Sequence, residues 1–158
     1  MAIVEELLRS EADSAISFGN HKLAAKAKVE DFQHAGDLLK VKTYNEITKL
    51  EKNGMFLYES VPGTSVLNFK ENEDGVEFVV EGDEDAQITV GLVDDTEYEV
   101  FVAGKSMGTM KTGLGGKLSL SVELSLPLFF ETFVMGHQEK LAHENHKLRL
   151  SPNKFQAT

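Results

Sequence analysis

The segment from Thr96 to Leu124 alternates between apolar and polar residues more regularly than any other part of the chain. It ends in Leu-Ser-Leu-Ser-Val-Glu-Leu, which begins at residue 118 after a glycine-rich turn at residues 112–116. Because successive side chains of a β-strand point to opposite faces, this pattern places one apolar face on a core and one polar face in water. The segment predicts three short β-strands and the turns between them.

Strand signals of the same kind recur along the chain, separated by turns roughly every 8–12 residues. The most specific turns are Asn53-Gly54 and Asp74-Gly75, because these residues tolerate the positive φ angles of a tight hairpin. Strands and helices do not alternate in the manner of a doubly wound fold. The sequence predicts a mainly all-β domain, an antiparallel β-sandwich or jelly-roll-like fold, with a short C-terminal helical extension.

The composition changes near residue 125, which divides the chain into two predicted parts. Residues 1–124 form the β-rich sandwich domain, whereas residues 125–158 begin with an apolar block that runs from Leu126 to Met135. Residues 137–150 then have the pattern of a short helix, and Pro152 follows it as a stop signal. We expect this extension to pack on the domain or on a neighbouring subunit.

Charge and cysteine content exclude several classes of function. The 158 residues carry a formal net charge of -10, which repels a polyphosphate backbone, so no nucleic-acid partner is expected. The chain has no cysteine, which excludes thiolate nucleophiles and cysteine-ligated metal centres. No organic cofactor is expected either, because the glycine-rich turn at residues 112–116 lacks the spacing and the following helix of a phosphate loop.

The N-terminal sequence MAIVEELLRSE carries acidic residues where a secretory signal has a basic region and an apolar region. No uncharged apolar run approaches the roughly 20 residues that a membrane span requires. A cytoplasmic location without a membrane partner is therefore expected. Export by a route without a cleaved signal is the alternative.

One group of side chains in the C-terminal extension has the spacing of a metal site. If residues 137–150 are helical, Glu139, His143 and His146 lie on one face at i, i+4 and i+7. Carboxylate and imidazole groups at this spacing suit Zn²⁺ or another divalent ion. The pattern fits equally a polar helix face with incidental histidines, which we favour, so no metal is assigned.

The acidic loops suggest a second metal hypothesis. Asp83 and Asp85 lie in the loop Glu-Gly-Asp-Glu-Asp between two predicted strands, and β-sandwich loops supply oxygen ligands to Ca²⁺. The spacing of an EF-hand is absent, and charged loop tips are usually only solvated. Calcium binding here is retained as a hypothesis that a thermal melt with and without chelator would test.

Catalytic motifs are also absent from the sequence. The turn from Ser60 to Ser65 is rich in hydroxyl groups, but no GxSxG elbow presents a serine as a nucleophile. The 26 acidic residues make some close carboxylate pair inevitable, so their number does not indicate a glycosidase. No catalytic residue is assigned, and the protein is not expected to be an enzyme.

Three stretches carry a resemblance to a known family: residues 36–66, the string EDAQITVGL, and residues 96–124. Over about residues 12–124 the chain resembles short acidic proteins of Clostridia-type Firmicutes that are often labelled endosialidase. The resemblance implies a small β-rich domain and brings no catalytic residue with it. Sialidases carry SxDxGxTW boxes and an arginine cluster, whereas this chain has only Arg9 and Arg149 and no such box. Residues 125–158 depart from the family pattern.

The predicted function is that of a non-enzymatic module for binding or self-association. An apolar block this dense should be buried, and a neighbouring copy is one way to bury it. A homo-oligomer, either a dimer or a trimer, and a protein or glycan ligand are therefore expected. The alternatives are a glycan-acting hydrolase and a carbohydrate-binding module. The residues predicted to mediate self-association are Leu126, Leu128, Phe129, Phe130 and Phe133.

Overall fold

The computed structural model describes residues 3–124 and the backbone of residues 131–137. These residues form thirteen β-strands and one short 3-10 turn, and no α-helix occurs among them. The strands are β1 (Leu8–Ser10), β2 (Ile16–Phe18), β3 (Ala27–His34), β4 (Asp37–Tyr44), β5 (Ile47–Lys52), β6 (Met55–Val61), β7 (Ser65–Asn72), β8 (Gly75–Glu81), β9 (Ala86–Gly91), β10 (Glu97–Val102), β11 (Lys105–Lys111), β12 (Lys117–Val122) and β13 (Glu131–His137).

The strands form two antiparallel sheets that pack face to face, so the fold is an all-β sandwich. The first sheet has seven strands in the order β1-β2-β7-β8-β13-β10-β11. The second has six in the order β12-β9-β6-β5-β4-β3. Among the residues described, no helix has the length and apolar character needed to cross a membrane.

The two predicted hairpins are confirmed. Asn53 and Gly54 adopt φ angles of 52° and 80° and connect β5 to β6. Asp74 and Gly75 connect β7 to β8, where the Asn72 side chain accepts hydrogen bonds from the backbone N–H groups of both residues. The alternation that begins at Leu118 is also confirmed, because Leu118 and Val122 are buried and the serines between them are exposed.

Three strands differ from the sequence interpretation. The sequence around Leu7 and Leu8 is compatible with one or two helical turns or with an irregular first strand, and the structure shows β1, a strand of only three residues. β3 contains an irregularity between Val29 and Phe32, where Asp31 has a φ of 57°, and this interrupts the alternation that would have revealed the strand. β13 lies inside the predicted apolar extension.

β13 is an interior strand of the first sheet. Its backbone pairs with β8 on one side and with β10 on the other, with Phe133 opposite both Phe78 and Val102. The predicted division between residues 1–124 and 125–158 stays a prediction, but this part of the extension completes the first sheet. His137, the predicted start of a helix, is the last residue of β13, and residues 138–150 lie outside the described part of the chain.

Four aromatic side chains form the centre of the core. Tyr58 of β6, in the second sheet, packs edge-to-face on Phe18, Phe69 and Phe78 of the first sheet, with ring centroids 5.2, 6.3 and 5.8 Å apart. All four side chains are buried. The two sheets are therefore joined by aromatic contacts across their interface, and edge-to-face pairs of this kind add to the free energy of apolar burial.

The two long sides of the sandwich are closed differently. On one side, His34 of β3 bridges to the opposite sheet, because its Nδ1 lies 2.8 Å from the Ser10 hydroxyl and its Nε2 lies 3.0 Å from the Ser14 carbonyl. On the other side, β11 and β12 are connected in the chain only by the turn at residues 112–116. This second side contains the candidate site.

Candidate functional site

A groove of about 930 Å³ opens along the side of the sandwich between β11 and β12, which we call the open seam. Its apolar lining comes from both sheets, and it is also lined by two carboxylates, one just before β9 and one just after β12. The residues that line the groove include Val102, Met107, Met110, Leu120, Val122, Asp85 and Glu123.

The sequence of β11 explains why the open seam stays open. The strand reads Lys-Ser-Met-Gly-Thr-Met-Lys, and none of its seven residues is fully buried. Gly108 has a φ of 92°, and the pairing with β10 shifts register between Glu99 and Phe101, so β11 does not continue the apolar face of the first sheet. Met107 is consequently 54% exposed.

The opposite wall of the open seam is a regular strand. In β12, Leu118 and Val122 are buried while Leu120, which lies between them on the same face, is only half-buried. The turn before β12 carries Leu114, which is 93% exposed. Apolar side chains on both walls and on the turn between them are therefore partly in contact with water, as Met107, Leu120 and Leu114 show.

The two aspartates of the calcium hypothesis have different partners. Asp83 accepts hydrogen bonds from the Lys22 ammonium on both carboxylate oxygens, each at 2.8 Å. Asp85 accepts a hydrogen bond from the Leu124 backbone N–H at 3.2 Å, which anchors the chain after β12. Within residues 3–124 and 131–137, no group of three or more His, Asp or Glu residues could hold a metal ion.

The other predicted site residues fall mostly beyond the described part of the chain. The metal candidates Glu139, His143 and His146 lie outside it, and so do four of the five residues predicted to mediate self-association. The fifth, Phe133, belongs to β13, where only its backbone is described. The hypothesis of a metal site and the hypothesis of self-association through the apolar block therefore both stay predictions. The four residues outside are Leu126, Leu128, Phe129 and Phe130.

A buried histidine, His21, forms a polar cluster with Ser65 and Asp83 that the sequence did not indicate. The Nδ1 atom of His21 lies 2.7 Å from the Ser65 hydroxyl, and its Nε2 atom lies 3.7 Å from a carboxylate oxygen of Asp83. These are the residue types of a serine hydrolase triad. Ser65, however, is fully buried at the start of β7, so its hydroxyl has no access to a substrate, and we assign the cluster a structural role.

The hydroxyl-rich turn from Ser60 to Ser65 belongs to a larger buried network. The Thr64 hydroxyl lies 2.8 Å from the Tyr58 hydroxyl and 2.7 Å from the Ser60 hydroxyl. The Thr64 backbone N–H donates to the Thr48 hydroxyl, which in turn donates to the Thr64 carbonyl. The Thr48 hydroxyl also lies 2.8 Å from the Thr43 hydroxyl. Burial raises the pKa of Tyr58 well above its usual range. These groups hold the irregular turn against the core.

The environment of His21 makes stability depend on pH. Burial lowers the pKa of His21 below its usual 6.5, and the Lys22 ammonium also lowers it, while the carboxylates of Asp83 and Glu81 oppose the shift. The folded protein therefore binds this proton less readily than the unfolded chain. The associated stability is fully present above the unfolded pKa, about 6.5, and is lost as the pH falls toward the folded value.

We expect the free energy of unfolding to fall between pH 7.5 and pH 5, and His21→Asn to flatten that dependence. One proton contributes a slope of at most about 1.4 kcal/mol per pH unit. Urea denaturation at several pH values measures it. The control is Met55→Asn, which replaces an exposed side chain of β6 that does not titrate and should leave the slope unchanged. A wild-type slope that survives in His21→Asn would contradict the assignment of this dependence to His21.

Comparison with known proteins gives no relative from which a function could be taken: no protein-family model, no curated protein and no solved structure matches the chain. The function must therefore be inferred from the chemistry of the open seam and of its strands.

Proposed function

We propose that this protein is a non-enzymatic module that self-associates, and that the open seam between β11 and β12 is its contact surface. The observation that supports this most strongly is the apolar groove on that side, lined by residues of both sheets. Burying apolar surface stabilises an association by roughly 25 cal/mol for each Å² removed from water. An apolar strip of this kind on an otherwise acidic surface is typical of a protein contact.

The distribution of charge favours a second copy at this surface. The chain carries a net charge of -10, so two copies repel each other over most approach directions. The strands of the open seam are different, because β11 and β12 contain Lys105, Lys111 and Lys117 and no acidic residue. The repulsion between copies is therefore weaker along these two strands than the net charge alone implies, even with Asp85 and Glu123 in the lining of the groove.

We expect the protein to be oligomeric at micromolar concentration and Met107→Glu to weaken the association by about tenfold or more, which corresponds to about 1.4 kcal/mol. A carboxylate in place of Met107 would have to be desolvated in the contact. Sedimentation velocity over a concentration series from about 5 to 200 µM measures this.

The matched control is Met55→Glu. Met55 is 72% exposed on β6, away from the groove, so the same change in charge and size should leave the association unchanged. Phe129→Ser tests the apolar block that the sequence predicted for self-association. A wild-type protein that sediments as a monomer throughout the series would overturn the proposed function.

A further inference from the structure

The four edge strands of the sandwich are not equally protected against pairing with another chain. β1 is only three residues long, β3 has the irregularity around Asp31, and β11 has a positive φ at Gly108 and a lysine at each end. Short length, bulges and lysines are the usual devices that prevent edge-to-edge pairing. β12 has six regularly paired residues, from Lys117 to Val122, with no bulge and no positive φ, and its only lysine is its first residue.

The hydrogen bonds of β12 show which of its backbone groups point outward. The Leu92 N–H donates to the Gly116 carbonyl at 2.7 Å. Hydrogen-bonded pairs recur at every second residue of an antiparallel ladder, so the next such pair on β12 and β9 is Leu118 with Val90. In an antiparallel pair the remaining residues direct their N–H and C=O groups to the other side. On β12 these residues are Lys117, Ser119 and Ser121.

The side chains agree with this assignment. The hydroxyl groups of Ser119 and Thr89 lie 2.7 Å apart, and directly opposite side chains approach most closely in pairs that are not joined by backbone bonds. Among the strands the structure describes, β12 has a neighbour on one side only. It therefore presents a regular row of outward-facing donors and acceptors next to the open seam.

A second copy of β12 can pair with this row only if outward-facing residues meet each other. In a symmetric dimer the two-fold axis then passes between the same residue of the two copies. Ser119, Leu120 and Ser121 can each occupy this position, and each choice gives a different register. Of these registers, the one centred on Leu120 places Lys117 opposite Glu123, and it does so twice because the contact is symmetric. It also sets Ser119 opposite Ser121 and Leu118 opposite Val122.

We propose that two copies of this chain pair antiparallel through β12 with Leu120 on the two-fold axis, which joins two six-stranded sheets into one continuous sheet. This inference rests on the proposed self-association and specifies its geometry. The half-buried Leu120 side chains meet at the axis, next to the open seam of each copy. Lys117, whose ammonium lies 4.6 Å from the Phe56 ring centroid, exchanges that contact for the partner's Glu123.

Charge reversal tests the register. Lys117→Glu and Glu123→Lys each place like charges opposite one another twice, and each is expected to raise the dissociation constant by about tenfold or more. The double variant restores both opposite-charge pairs and is expected to restore association. The control is Lys40→Glu, which replaces an exposed lysine of β4 and changes the net charge as Lys117→Glu does, without affecting the contact. Failure of the double variant to restore association would overturn the register.

Cross-linking gives an independent test, because the chain has no cysteine of its own. Ser119 and Ser121 are exposed, so Ser119→Cys and Ser121→Cys should both fold. In the proposed register the two cysteines face each other only when the variants are mixed, whereas identical positions lie beyond the roughly 7 Å Cα separation that a disulfide can span. Under mild oxidation, the mixture should therefore form dimers several times faster than either variant alone.

The other outcomes are equally informative. Fast cross-linking of Ser119→Cys or Ser121→Cys alone would place the axis on that residue and overturn the proposed register. A dimer in sedimentation without cross-linking in any combination would overturn the pairing through β12 while leaving self-association intact. A monomer at all concentrations would overturn both proposals.

Discussion

Replacing Phe18 with alanine is expected to lower the free energy of unfolding by about 3 to 5 kcal/mol, the usual cost of truncating a fully buried aromatic side chain. Phe18 is 0% exposed, and its ring centroid lies 5.2 Å from that of Tyr58 and 5.8 Å from that of Phe69. Because Tyr58 belongs to the opposite sheet, the substitution removes a contact that holds the two sheets together, and it also leaves a cavity.

Urea denaturation at a fixed protein concentration measures the change as a shift in midpoint. Leu114→Ala is the control, because Leu114 is almost fully exposed in the turn before β12 and its removal should change stability by less than about 0.5 kcal/mol. If Phe18→Ala cost less than about 1 kcal/mol, the aromatic cluster would not be the centre of the core.

Thr48→Val is expected to destabilise the protein by about 2 to 5 kcal/mol, although the two side chains have nearly the same shape. The Thr48 hydroxyl donates to the Thr64 carbonyl at 2.7 Å, accepts from the Thr64 N–H at 3.1 Å, and lies 2.8 Å from the Thr43 hydroxyl. The substitution leaves the buried carbonyl and N–H of Thr64 without that partner, and each unsatisfied group costs about 1–3 kcal/mol. The Thr43 hydroxyl still accepts a hydrogen bond from the Asn20 N–H.

Thr89→Val provides the matched comparison, since it makes the same substitution on the half-exposed outer face of β9. Thr89 bonds only the Ser119 hydroxyl among the contacts described for it, and water can replace that bond. We expect less than about 0.5 kcal/mol for this variant. Equal effects of the two substitutions would show that the buried hydroxyl network does not stabilise the turn between β6 and β7.

The sequence predicted the fold class and the hairpins because both depend on local patterns. Alternation identified β12, and Asn53-Gly54 identified the turn between β5 and β6, without reference to any distant residue. The sequence did not reveal β3, because the positive φ at Asp31 interrupts the alternation. β13 was not separated from the apolar block, because the run Phe133-Val134-Met135 is continuously apolar and has no period of two.

The buried polar groups could not be predicted for a different reason. His21 and Ser65 are 44 residues apart in the sequence. Hydroxyl residues such as Thr48 and Thr64 are common in exposed turns, so their presence does not indicate that they are buried. Only the packing of the two sheets brings these groups together. The open seam has the same origin, because alternation identifies a strand but does not say whether it lies at the edge of a sheet.

The most direct test of self-association through β12 is the hydrogen exchange of its backbone amides at low and high protein concentration. The amides of Leu118, Leu120 and Val122 bond to β9 and should exchange slowly at both concentrations. Those of Ser119 and Ser121 should exchange quickly in dilute solution and slowly when the protein associates. Exchange at Ser119 and Ser121 that does not change with concentration, whether fast or slow, would contradict the account.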